Sequence, residues 1–489
     1  MKRFNIILAL FCIVALASCD SFLDKQPTNA GDSSSAIQSV FDAEVMINGI
    51  TAKMLSSNYL GRNMIMYGDC KGGDLTILTA GRGLDYMYSF NHTFNSYSMS
   101  GFWTTGYNII LQLNNLITNI DRLEAEGTNE NFNDVKGQAL TLRAMLYFDL
   151  VRLYGEPYNE DKDALGVPNI TTVLDAAAEE PRATVAKNYE TIINDLKAAE
   201  DIIGTSKNQG FINYWGNKAL QARVYLSMDQ FDNALAAAED VIENGPYSLY
   251  SNTEWVNSWA SKEGKESIFQ LYMLATEANL GSGSIGAYYA RRNHYGSSGG
   301  CFIASEYFMD LLGEDPDDVR WGIMTYDEDH TAADKQNVKT CNYKYLGTVD
   351  AKGDGDSDAA SVNIKVIRLS EVYLIAAEAA YRKSTPDKKL ACERLNAIRK
   401  RSPNLAPATE ATITHDMILN EKAKELHGEG QRYWDLIRCN KTIEFNDDLY
   451  GVPVQRRGKT IDRTSYLTIL PIPESEMIIN GNMVQNPQY

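Results

Sequence analysis

The chain is short of positive charge: its 489 residues hold 46 Lys and Arg against 64 Asp and Glu, a formal net charge of −18. Phosphate backbones and anionic membrane surfaces both need clustered positive charge, so a nucleic-acid partner is not expected. Histidine is also scarce. His92, His294, His330, His415 and His427 are dispersed, with no partner at metal-ligand spacing. There is no G-x-S-x-G elbow, no H-E-x-x-H and no P-loop, which removes the common motif-based enzyme classes. Paired carboxylates for glycoside hydrolysis occur by chance in a chain with 64 acids, so they discriminate nothing. Of seven cysteines, Cys12 and Cys19 lie near the start, and Cys70, Cys301, Cys341, Cys392 and Cys439 lie in the body. They form no C-x-x-C pair and require no disulfide. After residue 17 no apolar run is long enough to span a bilayer.

What is present begins with a leader. Lys2 and Arg3 precede an apolar run from Phe4 to Ala17, interrupted by Asn5, and then Leu16-Ala17-Ser18-Cys19. This is too short to span and has the layout of a secretory signal. Its end resembles the bacterial lipobox, which predicts a signal peptide over 1–18, lipidation of Cys19 and a polar tether over 19–35. Loss of Lys2 and Arg3 with the signal takes the formal charge from −18 to −20. The lipid is then the expected tether.

With 44% hydrophobic residues the body can bury a large core, either as two to four domains or as one helical assembly. Apolar residues at helical spacing predict helices over 103–123, 131–154, 187–203, 213–229, 231–244, 370–384, 388–400, 414–427 and 431–443. Gly155 and Pro157 should stop the second of these. Ala222, Tyr225, Phe231, Ala234 and Pro246 fall at tetratricopeptide offsets, where small and aromatic positions let antiparallel helices pack and stack. Ser370 to Arg401 repeats the pattern more weakly. The expected fold is mainly α, a helical hairpin scaffold interrupted by irregular inserts over 36–102, 250–369 and 443–489.

The inserts are rich in Gly, Ser, Asn and Tyr, the composition of loops that approach a ligand. Asp354, Asp356 and Asp358 alternate oxygen donors as calcium loops do, but the EF-hand glycine and terminal glutamate are missing; a solvated acidic loop is expected there, with a calcium site the alternative, and no other cofactor is expected.

The order of short strings along the chain resembles the SusD/RagB family of outer-membrane nutrient-binding lipoproteins. These are Cys19-Asp-Ser-Phe-Leu-Asp24, then Trp103, Tyr107, Ile110 and Asn114-Asn115, and most strongly Gly137 to Phe148 running into Arg152-Leu-Tyr-Gly155. Further on come Ile367 to Glu378, Leu395 to Arg399, Glu425 to Arg438, Leu470 to Glu476 and Gln485-Asn-Pro487. The resemblance implies one domain over 36–489, with an N-terminal part to about 230 and a C-terminal part from about 260, built as four tetratricopeptide-like hairpins facing a ligand-binding side. It implies no catalysis. It also implies surface exposure on the outer membrane, capture of an oligosaccharide or, in some members, a peptide, and delivery to a SusC-like TonB-dependent transporter. The family usually shows Glu-Arg where this chain has Glu421-Lys422, and Lys lacks the bidentate fork of Arg.

Arg143, Glu371, Glu378, Glu425, Arg432, Asp435 and Arg438 lie on patterned helices with opposite charges in reach, so they are expected to pair structurally. Trp103 and Trp321 are likewise expected to be structural. Ligand contact is expected instead from two loops. A sugar offers flat CH faces rimmed by hydroxyls, which suits exposed rings beside Asn, Asp or Arg. The first loop holds Arg82, Asp85, Tyr86, Tyr88 and Asn91, and the second Tyr288, Tyr289, Arg292 and Tyr295. Some of these rings are expected to anchor their own loops. The negative charge favours a neutral oligosaccharide; peptide capture and a purely protein-binding scaffold are the alternatives.

Overall fold

The computed structural model describes residues 36–77, 84–94, 97–175, 177–207, 210–274, 280–290, 301–326, 340–348, 353, 362–445 and 457–489. It is mainly helical, with short two-stranded ribbons. The longer helices are α1 (Val40–Met54), α2 (Asn63–Cys70), α3 (Tyr97–Ala125), α4 (Asn133–Tyr154), α5 (Val185–Glu200), α6 (Tyr214–Ser227), α7 (Phe231–Asn244), α8 (Glu306–Gly313), α9 (Leu369–Arg382), α10 (Lys388–Arg399), α11 (His415–Glu425) and α12 (Arg432–Arg438). Each packs on the next in the stack: α3 on α4, α4 on α5, α5 on α6, α6 on α7, α7 on α9, and α9 on α10 and α11.

The sequence explains this stack. Ala222 and Ala234 are fully buried, so α6 and α7 approach closely at their small residues. Helix α4 is buried on nearly its whole circumference because α3 and α5 cover it from both sides. It stops at Tyr154, with the Gly155 N–H capping the Val151 carbonyl. Asn213, Thr184, Asp387 and Thr414 cap α6, α5, α10 and α11 through their side chains.

Two expectations are corrected. Segment 431–443 is helical only through Arg438; Cys439 caps it, and Asn440 sits at φ +51°, a left-handed position that turns the chain into a short strand at Ile443–Glu444. Segment 36–102 was expected to be irregular, yet α1 lies within it, nucleated by a capping box in which Ser39 and Asp42 satisfy each other's backbone N–H.

The strands tie the inserts together. β1 (Leu75–Ile77) pairs antiparallel with β3 (Phe302–Ala304), and β2 (Ser267–Leu271) with β4 (Ile364–Arg368). β4 runs directly into α9, placing Arg368 in a buried charge network. There Arg368 reaches Glu429 at 2.7 Å, Glu266 at 3.1 Å and Glu425 at 3.3 Å. Arg401 binds Glu266 at 2.9 Å, and Arg320 binds Asp318 and Glu421 at 2.7 Å each. Burial raises the Glu425 carboxyl, but Arg401, Arg368 and Arg320 outweigh it and hold the group near a pKa of about 2.

The other motif charges pair as expected: Arg143 with Asp195 at 2.7 Å, Arg223 with Glu371 at 2.7 Å and Arg438 with Glu378 at 2.6 Å. Lys422 reaches Asp435 at 2.7 Å but Glu378 only at 3.4 Å, as a point charge serving one acceptor well would. Trp103 is buried and Trp321 half-buried.

Candidate functional site

Both predicted loops start from the β1–β3 ribbon. Residues 78–94 leave β1 and the 280–301 segment enters β3, so Ile77 pairing with Phe302 fixes one loop's exit beside the other's entry. The junction is sealed by rings. Tyr88 lies 6.0 Å from Phe302 and 5.9 Å from Phe445 between centroids, with the Arg457 guanidinium 4.7 Å above its own ring. The Tyr289 hydroxyl donates to Asp69 on α2, and the other Asp69 oxygen accepts the Gly430 N–H at 2.9 Å. Burial, opposed by these two donors, pushes the Asp69 carboxyl up to about 8.

The predicted residues therefore separate. Tyr88 and Tyr289 are each 1% exposed and act as loop anchors, which withdraws their rings from ligand contact. Each is buried because a partner from a distant segment, Arg457 or Asp69, satisfies or covers it. Tyr86 opens to solvent at 42% exposure on the short helix Asp85–Tyr88, with Asp85 and Asn91 half-buried beside it in sequence. Tyr288 is half-buried on the helix Ile285–Tyr289, and Arg62 lies 4.7 Å over its ring while donating to the Gly283 carbonyl at 3.1 Å. That guanidinium covers one face and leaves at most the other for a ligand. Arg82, Arg292 and Tyr295 lie outside the described residues, as do Cys19 and Asp354, Asp356 and Asp358.

Sequence reasoning missed Arg62, whose only local signal is its place in a Gly-Arg-Asn turn, and Asp69, whose partners are 220 and 361 positions away. It also missed Lys71, buried among the rings of Tyr67, Phe90 and Tyr433, with its Nζ 3.1 Å from His92 Nε2. Burial drives this amine well below the usual lysine range.

Glu378, His415 and Cys439 bring three potential metal-ligand atoms within 4.8 Å of one another. They do not fit a metal. Both Glu378 oxygens are already held by the Arg438 fork at 2.7 and 2.6 Å, and burial pushes the Cys439 thiol up to about 12.

The arrangement offers aromatic rings and polar groups on inserts held by a rigid helical stack, with no nucleophile–base pair among the described predicted residues. Comparison with known proteins agrees with it. Residues 213–489 match the family model described as the SusD family, and residues 21–226 match one described as starch-binding associating with outer membrane. A SusD superfamily protein of Bacteroides thetaiotaomicron is 34% identical, with a TM-score of 0.84 over 92% of this chain and 100% of that one. A putative sugar binding protein of Bacteroides vulgatus is 31% identical, with a TM-score of 0.83 over 93% of this chain and 100% of that one. The SusD-like protein P38 of Formosa agariphila is 23% identical over the full length of both chains. The chain belongs to the SusD family, a family of carbohydrate-binding proteins.

Proposed function

We propose that this chain is a cell-surface lipoprotein, anchored in the outer membrane through Cys19, that captures neutral oligosaccharides without cleaving them and passes them to a SusC-like TonB-dependent transporter. The observation that carries this reading is the joining of two Tyr-rich inserts, more than 200 residues apart, by the β1–β3 pairing, with Tyr86 exposed and Tyr288 half-buried. A ring offers its face to sugar CH groups while Asp85 and Asn91 suit hydroxyls. The sugar-binding description of the relative with 31% identity supports the same class of ligand. The excess of acids repels polyanions, which favours neutral chains.

Affinity electrophoresis in gels containing soluble neutral polysaccharides, starch and laminarin among them, tests the reading. Retardation by at least one polysaccharide is expected. Binding to peptides with none to any glycan would overturn it. Recovery from solubilised outer membrane together with a barrel-sized partner is the expected outcome for the transporter pairing, and recovery alone counts against it.

A further inference from the structure

The ribbon that carries the two loops has a second end. There Leu75 pairs with Ala304, Gly72 and Gly73 lead into β1, and Tyr307 follows β3 at the start of α8. Between them and helices α11 and α12 lies a cavity of about 350 Å³, lined by Gly72, Gly73, Tyr307, Asn420, Arg432 and Glu444 among others. This is the size of a small-ligand site.

Its walls select a chemistry. Tyr307 is 50% exposed, and its hydroxyl sits at 3.4 Å from both the Asn420 carboxamide oxygen and an Arg432 nitrogen. Those are the outer limits of a hydrogen bond, so both the ring and its polar tip remain open to a better partner. Arg432 is only 9% exposed and spends its other groups on the Leu419 carbonyl at 3.2 Å and on Asp74 at 3.3 Å. Lys441, the other cation of the lining, is paired with Asp416 at 2.5 Å. Both positive charges are thus answered, and Glu444 adds a negative one, which disfavours a phosphate or carboxylate ligand. The glycines let the chain pack closely at this wall: a Cβ on Gly72 would meet Arg432 Cγ at 2.6 Å, and one on Gly73, which holds φ +81°, would meet the Glu444 carbonyl oxygen at 2.6 Å. A half-exposed ring, a carboxamide and a carboxylate around a hollow of this size suit a group with one apolar face and several hydroxyls.

We propose that this cavity is a second glycan subsite, taking one neutral glycosyl unit stacked on Tyr307 and hydrogen-bonded to Asn420 and Glu444. It rests on the glycan-binding reading above and adds a binding position separate from the Tyr86 and Tyr288 loops. Because Tyr307 is half exposed and Asn420 only half-buried, their replacement should leave the fold intact.

The test uses the full mature chain and the neutral polysaccharide that retards it most in affinity gels. Tyr307→Ala and Asn420→Ala are each expected to weaken retention about three- to tenfold at unchanged melting temperature, while Tyr307→Phe keeps most of it. Full retention in both alanine variants, with the wild type bound, overturns the subsite and leaves the general reading standing. A Tyr307→Phe loss as large as that of Tyr307→Ala also overturns the subsite, since the ring would not be the platform. A wild type retained by no polysaccharide overturns the subsite and the glycan reading together.

Discussion

The buried charge network and the β1–β3 loop junction on the insert side of this molecule are held by different forces. Where α9, α11 and α12 pack, buried charges are answered by several partners at once: Arg368 has three carboxylates, and Glu425 sits among three guanidinia. The network also ties the 250–369 insert to these helices through Glu266, Arg320 and Arg368. At the β1–β3 junction the links include hydroxyls and ring edges, such as Tyr289 on Asp69 and Tyr88 on Phe302. A buried ion pair adds little net stability over an apolar pair but is costly to break, so it fixes register. A tyrosine contact can be lost or rebuilt locally at lower cost. The difference teaches that the network is specified against rearrangement, whereas the two tyrosine-bearing loops are held by lighter contacts and are free to differ in surface chemistry.

Removing one side of the scaffold network should give the largest effect. Arg368→Met leaves Glu429, Glu425 and Glu266 without their shared cation and is expected to cost about 3–5 kcal/mol, read as a shift of the denaturant midpoint at constant slope. A loss of under about 1 kcal/mol would show that the network relaxes or admits water, and would erase the contrast with the insert side.

The next effect is pH-dependent. The Asp69 carboxyl is raised from 3.8 to about 8, so the folded protein holds a proton there that the unfolded chain releases above about 4. Its contribution is therefore fully present below pH ~4 and is lost as pH rises towards about 8. Asp69→Asn removes the titration; its amide oxygen can still accept the Gly430 N–H, while its NH2 must donate to the Tyr289 hydroxyl and so reverses that bond. Its stability relative to wild type should improve steadily between pH 5 and pH 8 in paired melting curves; parallel curves would remove the raised carboxyl from the account.

Lys71 titrates with the same sense of slope reversed. Its folded pKa lies below the ordinary lysine value, so stability is full above about pH 10.5 and falls as the unfolded chain takes up a proton at lower pH. Lys71→Met should flatten this fall, with a smaller net change at neutral pH because His92 Nε2 loses its partner. An unchanged stability difference between pH 7 and pH 10 would mean that the aromatic cage holds the amine charged.

The smallest effect on stability is the most telling for function. Tyr86→Ala should leave the melting temperature within about a degree, since surface changes usually stay within ±0.5 kcal/mol, whereas Tyr288→Ala also removes a half-buried ring under Arg62 and should lower it modestly. Each should weaken polysaccharide retention. Unaltered affinity in both would detach the loops from ligand contact.

Much of the scaffold was legible in the sequence because its determinants are local. The segment 231–244 emerges with its predicted bounds, since Phe231 and Ala234 fall at repeat offsets from Ala222 in one hairpin. The end of α4 was marked by Gly155. The paired charges of α9, α11 and α12 were recognisable by type, although their partners across the fold were not. Helix α1 was less legible: Ser39 and Asp42 spell a capping box, but the segment stands outside the hairpin repeats that mark the other helices. The candidate site was legible only as composition. Nothing local distinguishes Tyr86 from Tyr88, and what buries one of them is Phe302, Phe445 and Arg457, supplied from hundreds of positions away. The three-residue strands that join the loops carry no periodic signal long enough to detect. The Tyr307 cavity had no signal at all, being assembled from four segments.

The β1–β3 ribbon has a consequence for exchange between relatives. Each insert contributes one strand of a pair, and the two strands set each other's register. A graft that brings one foreign insert onto this scaffold leaves its strand facing a register chosen for a different neighbour, and the loop beyond it is aimed wrongly whatever its own sequence. On the proposed reading, ligand preference is transplanted by moving both inserts at once, as though residues 72–94 and 280–307 were a single interrupted gene segment.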